Sequence, residues 1–278
     1  MNPLIDHIIN ALRGYYPQEE LRGLAFWTAE ELTGLTRTQL LSDCKGTENI
    51  PHLENVLCKL RQHEPVQYIF EHTEWMGLDL RVTPDTLIPR PETAELVEWV
   101  LQMSDVQKLP ISSGSSWQVA DIGTGSGCIA IALKKHRPQW QLTGMDISRE
   151  ALLVAQENGR RNGVDITWLQ TDIETDEIKD FDVIVSNPPY VCEHERETMD
   201  GNVLLYEPAS ALFVPDDDPL RFYRRIASLR RAPHLFFEIN EAFGMETCAL
   251  LREWEYTDIQ LKHDIYGKPR MVYGRIAE

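Results

Sequence analysis

One stretch limits the possible folds of this chain more than any other. Gln118-Val119-Ala120-Asp121-Ile122 runs straight into Gly123-Thr124-Gly125-Ser126-Gly127 and then into the apolar Ile129-Ala130-Ile131-Ala132-Leu133. A buried strand, a glycine turn and a helix in immediate succession form a unit in which the backbone bends sharply and can approach a ligand without a Cβ in the way. The grammar repeats from about residue 91 onward. Residues 142–146, 166–169, 181–185 and 235–239 read as further strands, with helices after Ser148 and around Phe222 and Ile226. The segments 257–261 and 271–276 read as a closing antiparallel hairpin. Strands alternating with helices imply a mostly parallel sheet covered on both faces, so the expected class is α/β, Rossmann-like.

The first part of the chain is written differently. Leu4, Ile5, Ile8, Ile9 and Leu12 recur at helical spacing, followed by Gly14; Leu21, Leu24, Ala25 and Leu32 do the same before Gly34. Thr36 can cap a short helix through Leu40 and Leu41, and Leu53, Val56, Leu57 and Leu60 form a fourth stripe. Such stripes must bury against one another, which predicts a small helical bundle over 1–68. Thr73-Glu74-Trp75 and Leu78-Asp79-Leu80 flank the turn Met76-Gly77, so 69–90 reads as a hairpin linker. A helix is expected to start at Pro91, a residue suited to a first turn. Residues 91–278 then make the main domain, consistent with roughly 150 residues per domain. The stretch 111–117 reads as a polar loop, and Asp216-Asp217-Asp218 as a solvated loop and helix cap before Pro219.

Composition narrows the function classes. The formal net charge is −17, which disfavours a sequence-blind nucleic-acid coat. No apolar run approaches the roughly 18 residues a membrane span needs, and the start lacks a signal peptide's basic region and apolar core. The five cysteines (Cys44, Cys58, Cys128, Cys192, Cys248) form no C-x-x-C pair and the eight histidines no H-x-x-x-H pair. Reduced thiols, a cytoplasmic location, no membrane association and no metal are therefore expected.

The glycine turn says something about its ligand. A nicotinamide fingerprint would need glycine at 128, where Cys128 stands, and the phosphate-loop pattern is absent. What is present is D-x-G-x-G-x-G, the pattern of S-adenosylmethionine-dependent methyltransferases. Asp146 ends the next strand, where an acid can accept both hydroxyls of an adenosine ribose. Asp172 closes the third strand, where such folds meet the adenine amino group; a helix cap accounts for it equally well.

Ser186-Asn187-Pro188-Pro189-Tyr190 follows the fourth strand. Sheet topology brings the carboxyl ends of the first and fourth strands together. The chemical problem suited to this motif is a planar nitrogen, whose lone pair is shared with a π system. The Asn187 side-chain oxygen and the Pro188 carbonyl can accept its two N–H groups and turn the lone pair toward a methyl donor. Pro189 fixes the direction of that carbonyl, and Tyr190 offers a flat face for stacking.

Together these features resemble the protein glutamine-N5 methyltransferases that modify peptide chain release factors, the PrmC/HemK family. The resemblance covers nearly the whole chain. It includes Pro65-Val66-Gln67-Tyr68-Ile69, Leu87-Ile88-Pro89-Arg90-Pro91-Glu92-Thr93, the two motifs above, Tyr206-Glu207-Pro208 and Tyr266-Gly267-Lys268-Pro269-Arg270. It implies a class I methyltransferase domain behind a helical domain that docks substrate. It also implies transfer of a methyl group from S-adenosyl-L-methionine, leaving S-adenosyl-L-homocysteine. The acceptor would be the glutamine of the Gly-Gly-Gln loop in class-one release factors, methylated by a monomer. Asn187, Pro188 and Tyr190 would hold and activate the glutamine amide, with Pro189 beside them. Gly123, Thr124, Gly125, Ser126, Gly127, Asp146, Asp172 and Asn187 would hold the methyl donor. Ile173 and Tyr206 stand where many members carry an aromatic residue and a phenylalanine. The same Asn-Pro-Pro-Tyr logic also serves adenine-N6 methylation of DNA or RNA, which is the alternative reading. Such enzymes usually bring a basic groove, and no Lys/Arg-rich loop is present here.

Overall fold

The computed structural model describes residues 2–42, 50–106 and 116–276. Cys44 and residues 111–115 of the expected polar loop lie outside them. The chain divides into two compact units, one running to Glu71 and including Asp200–Tyr206, the other comprising His72–Met199 and the chain from Glu207.

The first unit is helical: α1 (Pro3–Leu12), α2 (Gln18–Thr33), α3 (Arg37–Ser42), α4 (Leu53–Arg61) and α5 (Val66–Phe70). The apolar stripes read from the sequence make its core, with Ile5, Ile8, Leu12, Ala25, Leu57 and Leu60 fully enclosed. Asn2 caps α1 by accepting the Leu4 N–H at 2.9 Å. Gly34 ends α2 with φ of 68°, its N–H bonded to the Glu30 carbonyl, a conformation that favours glycine.

The second unit opens with the hairpin β1 (Thr73–Trp75) and β2 (Leu78–Leu80), paired antiparallel. Met76 and Gly77 both have positive φ (49° and 70°), as a two-residue turn between twisted strands requires. α6 (Pro91–Val106) begins at the expected proline. The alternation follows as β3 (Gln118–Ile122), α7 (Cys128–His136), β4 (Gln141–Asp146), α8 (Arg149–Arg161), β5 (Thr167–Gln170) and β6 (Val183–Ser186). Beyond it come the short β7 (Val191–Cys192), α9 (Gly201–Tyr206), β8 (Phe213–Val214), α10 (Arg221–Leu229), β9 (His234–Glu238), α11 (Gly244–Glu253), β10 (Tyr256–His263) and β11 (Pro269–Ile276). Of these α9 belongs to the first unit, where the Tyr206 hydroxyl donates to the Gln62 carbonyl at 3.0 Å.

Seven strands form the main sheet in the order β10-β11-β9-β6-β3-β4-β5. Pairings from β9 to β5 are parallel, and β11 joins β9 and β10 antiparallel. This is the mostly parallel sheet with a closing hairpin expected from the sequence. One local expectation fails. Leu220, not an aspartate, occupies the cap position of α10 without a side-chain bond, and Asp218 instead accepts from the Arg224 guanidinium at 2.6 Å.

Glycines decide the packing on one side of the sheet. The Trp168 ring on β5 lies over Gly127, Gly144 and Gly159, and a Cβ at Gly144 would sit 2.4 Å from it. Gly144→Ala is therefore expected to destabilise the chain by about 1–3 kcal/mol through overpacking. Gly23→Ala in α2, where a Cβ meets nothing within 4 Å, is expected to stabilise by about 0.4–1 kcal/mol. Denaturant midpoints of the two variants, run side by side, check both signs.

Candidate active site

β3 and β6 pair in parallel with Ile122 opposite Ser186. The chain leaving β3 is the glycine turn, and the chain leaving β6 is Asn187-Pro188-Pro189. The turn is held from below. The fully buried Asp121 accepts the Thr124 hydroxyl at 2.6 Å and the Ala130 N–H at 3.2 Å through one oxygen. Its other oxygen has no partner within the protein, and burial pushes the carboxyl up to about 7. The N–H groups of Gly123 and Thr124 both donate to the Met145 carbonyl at 2.9 Å. Gly123 and Gly125 take φ of 73° and 54°, the left-handed region open to glycine.

Asp146 ends β4 at the lip of the turn. One of its oxygens accepts the Gly125 N–H and the other the Ser148 N–H, both at 2.9 Å. Burial raises the carboxyl from its ordinary value, against the pull of these bonds. A cleft of about 300 Å³ opens above these groups. Gly123, Thr124, Gly125, Ser126, Asp146, Asp172, Asn187, Pro188 and Pro189 all line it.

Gly127 and Tyr190 do not line it. Gly127 lies buried at the start of α7, where a Cβ would press on Trp168, Ala155 and Ile131, so its glycine serves helix packing. Tyr190 turns its hydroxyl to Glu238 at 3.1 Å and packs on the core beneath the cleft. Asp172 is on the wall, and one of its oxygens also accepts the Glu174 N–H at 3.0 Å. Cys192 is buried away from the cleft. With His194 and Asp216 it brings ligand-type atoms within 4.8 Å of one another. Asp216 already accepts the His194 ring at 2.7 Å and its N–H at 3.1 Å.

Sequence reasoning gave no role to several groups that shape the site. Thr93 on α6 and Phe222 on α10 line the cleft. Glu207 is buried and bridges two walls, taking the Arg90 guanidinium at 2.5 Å and the Ile88 N–H at 3.3 Å. Glu238 ends β9 and binds the Thr93 hydroxyl at 2.7 Å, and Thr93 in turn accepts the Asn187 side-chain amide at 3.2 Å. A lone acid closing the apolar run Leu235-Phe236-Phe237 was the available signal.

A family model, the methyltransferase small domain, matches residues 105–213. Among solved structures, the hMettl16 catalytic domain in complex with MAT2A 3′UTR hairpin 6 covers 73% of this chain and 77% of its own, with a TM-score of 0.56 at 14% identity. Human methyltransferase 10 domain containing protein covers 72% and 90%, with a TM-score of 0.52 at 19% identity. At such identities the likeness is one of fold, and with the family model it gives the chain the class I methyltransferase architecture. Full-length relatives sharpen this. The release factor glutamine methyltransferase of Bacteroides thetaiotaomicron is 41% identical over 98% of this chain and 99% of its own. That of Flavobacterium psychrophilum is 42% identical over 95% of each. The chain belongs to the release factor glutamine methyltransferase family.

The Arg90–Glu207 pair ties the segment before α6 to the opposite cleft wall. Arg90→Ala leaves a buried carboxylate without its cation and is expected to cost about 1–3 kcal/mol. Thermal unfolding of Arg90→Ala beside the unaltered chain measures it, and an unchanged midpoint would mean that the pair contributes nothing net.

Proposed function

We propose that this enzyme transfers a methyl group from S-adenosyl-L-methionine to the side-chain amide nitrogen, N5, of the glutamine in the Gly-Gly-Gln motif of class-one release factors. One observation carries the reading. Asn187, Pro188 and Pro189 share a single cleft with the glycine turn and Asp146, in a chain whose relatives bear the release factor glutamine methyltransferase name. Those names do not favour the adenine-N6 alternative. A cytoplasmic location and a monomeric state go with this reading, as does docking of the release factor by the helical segment 1–68, which has its own core.

The cleft fits the methyl donor. The space over Gly125 is open, since a Cβ built there meets nothing within 4 Å. Asp146 accepts backbone N–H groups on both oxygens, and a carboxylate accepts about four bonds, which leaves room for a ribose diol. Ile147, 61% exposed at the rim, with Ile173 and Phe222, supplies apolar surface for an adenine ring, and Asp172 is the proposed partner of its amino group. When bound, S-adenosylmethionine supplies an electrophilic methyl group on a sulfonium.

The chain's own residues act by holding the amide. Asn187 Oδ1 and the Pro188 carbonyl accept its two N–H groups, which turns the nitrogen lone pair toward the methyl group. Tyr190, which lies behind the cleft wall, supports the Asn187-Pro188-Pro189 segment from the core side. The bound donor would supply the electrophilic carbon and depart as the neutral thioether, and the proton of the cationic nitrogen would pass to solvent water. No strong base is needed. Catalysis is positioning for in-line transfer plus acceptors aimed at developing charge.

Asp146→Ala and Asn187→Ala should therefore fail differently. The first is expected to lose cofactor affinity, up to about 1.5–3 kcal/mol per charge-assisted bond removed, read by calorimetry. The second is expected to lose about 10²–10³ in kcat, much more than it loses in cofactor affinity, read as labelled methyl incorporation into a whole release factor. Mass spectrometry of the product tests the substrate itself. Methyl on the Gly-Gly-Gln glutamine is expected, whereas methyl on adenine would overturn the assignment.

A further inference from the structure

Glu238 ends a strand buried along its whole length, and a carboxyl in such a place is costly unless hydrogen-bonded. Its two oxygens have separate partners. Oε1 accepts the Tyr190 hydroxyl at 3.1 Å and Oε2 the Thr93 hydroxyl at 2.7 Å. Thr93 Oγ1 lies 3.2 Å from Asn187 Nδ2. A hydroxyl has one proton to give. With that proton committed to Glu238, Thr93 can only accept from Asn187. The Asn187 amide must then offer Nδ2 to Thr93 and turn Oδ1 away from it. Thr93 and Asn187 line the cleft, whereas Glu238 stands behind them.

We propose that Thr93 and Glu238 are positioning residues that select which end of the Asn187 amide faces the reacting nitrogen, Glu238 fixing the Tyr190 ring at the same time. The inference rests on the role given to Asn187 above and extends it. The two ends of an asparagine amide are nearly the same size, so shape alone does not choose between them. A reversed amide would set a donor against the substrate's N–H groups. The polarity of the Thr93–Glu238 bond supplies the choice.

That polarity depends on the charge of Glu238. Burial pushes its carboxyl up to about 7, against the bonds from Thr93 and Tyr190 and the attraction of Arg270, with Glu92 adding to the rise. A protonated carboxyl can donate to Thr93, which frees the threonine proton to point at Asn187 and removes the bias. The groups around Glu238 are Glu92 and Thr93 on α6, Cys128 on α7, Tyr190 after β6, Tyr223 on α10 and Arg270 on β11. Cys128, Tyr190 and Tyr223 are raised and stay neutral near pH 7, while Arg270 is raised and stays charged. Asp121, also pushed up to about 7, is the other carboxyl that titrates in this range near the cleft.

The test follows methylation of a whole release factor by the full chain across neutral pH. Thr93→Val is expected to lower kcat by about 10–100-fold with S-adenosylmethionine affinity unchanged, and Thr93→Ser to restore it. kcat should fall on the acid side in the unaltered chain and in Thr93→Ser. That acid limb should be missing from Thr93→Val and from Glu238→Gln. A limb that persists in Glu238→Gln belongs to another group such as Asp121 and overturns the proposal. So does full kcat in Thr93→Val, or a joint loss of melting temperature, cofactor affinity and kcat that Thr93→Ser does not rescue. A second readout needs no substrate. Protection of the Asn187 side-chain amide protons from exchange, followed by NMR relative to the base-catalysed intrinsic rate, should rise as Glu238 ionises and lose that rise in Thr93→Val; unchanged behaviour in Thr93→Val overturns the relay. If the unaltered chain does not methylate release factors, the substrate reading fails, and the amide exchange still decides the relay.

Discussion

The site depends on one pairing, that of β3 with β6. Their parallel register sets Ile122 opposite Ser186, and the Ser186 hydroxyl locks it by donating to the Ile122 carbonyl at 2.6 Å. Parallel strands leave their carboxyl ends on the same side, which is where open α/β sheets bind ligands. The glycine turn and Asn187 consequently start next to each other, and a Cβ added at Gly123 would lie only 3.9 Å from the Asn187 carbonyl oxygen. β4, paired to the other side of β3, delivers Asp146 and the Met145 carbonyl that anchors the turn. A slip of one residue between β3 and β6 would move Asp121 and Ile122 each to the face it does not now occupy and dismantle both motifs at once.

Three acids around the reactive motif are held by neutral donors. Asp146 accepts backbone N–H groups, Asp121 accepts a hydroxyl and one backbone N–H through a single oxygen, and Glu238 accepts two hydroxyls. Arg90 with Glu207 and Arg221 with Glu174 are ion pairs at the cleft wall. Holding carboxylates through uncharged donors preserves their negative potential, whereas a guanidinium beside each would cancel it. A cleft of that sign suits the cationic sulfonium proposed to occupy it and discourages phosphates.

Much of this was legible in the sequence because strand and helix periods are local. The strands of the main sheet, the hairpin turn at Met76-Gly77, the proline at the start of α6 and the two motifs at strand ends all follow from spacing and turn chemistry. Strand order and the convergence of the two motifs follow from general rules for parallel sheets. The Thr93–Glu238–Tyr190 set was not legible. Its members lie 145 and 48 residues apart, and nothing in the local pattern of α6 says that Thr93 points at β9. α11 and the short β7–β8 pair also escaped, the first because its apolar positions are mixed with charge, the second because two-residue strands carry no period. Gly127 was misleading in the opposite way. It belongs to the motif by spacing, yet its lack of a Cβ makes room for Trp168, Ala155 and Ile131.

Asp121 and Glu238 also set the terms on which the fold is stable. Both are fully buried, and both are raised to about 7 from ordinary values of 3.8 and 4.5. An acid whose folded value lies above its unfolded one binds its proton more tightly in the folded chain. Its contribution to stability is then greatest below the unfolded value, declines as pH rises through the interval up to about 7, and stays low above it. At neutral pH the sheet therefore carries the cost of ionising two interior carboxyls, offset by the enclosed apolar layers on either side of β6, including Val185, Phe236 and Phe237. Their positions explain why such a cost is retained. In the strand order β9-β6-β3, one acid lies near the carboxyl end of each neighbour of β6, the strand that leads into Asn187. One braces the turn proposed to hold the methyl donor, and the other braces the amide proposed to hold its acceptor. A sheet built only for stability would place apolar residues at both positions, and a departure from that rule on both sides of one reactive residue is what a catalytic site requires.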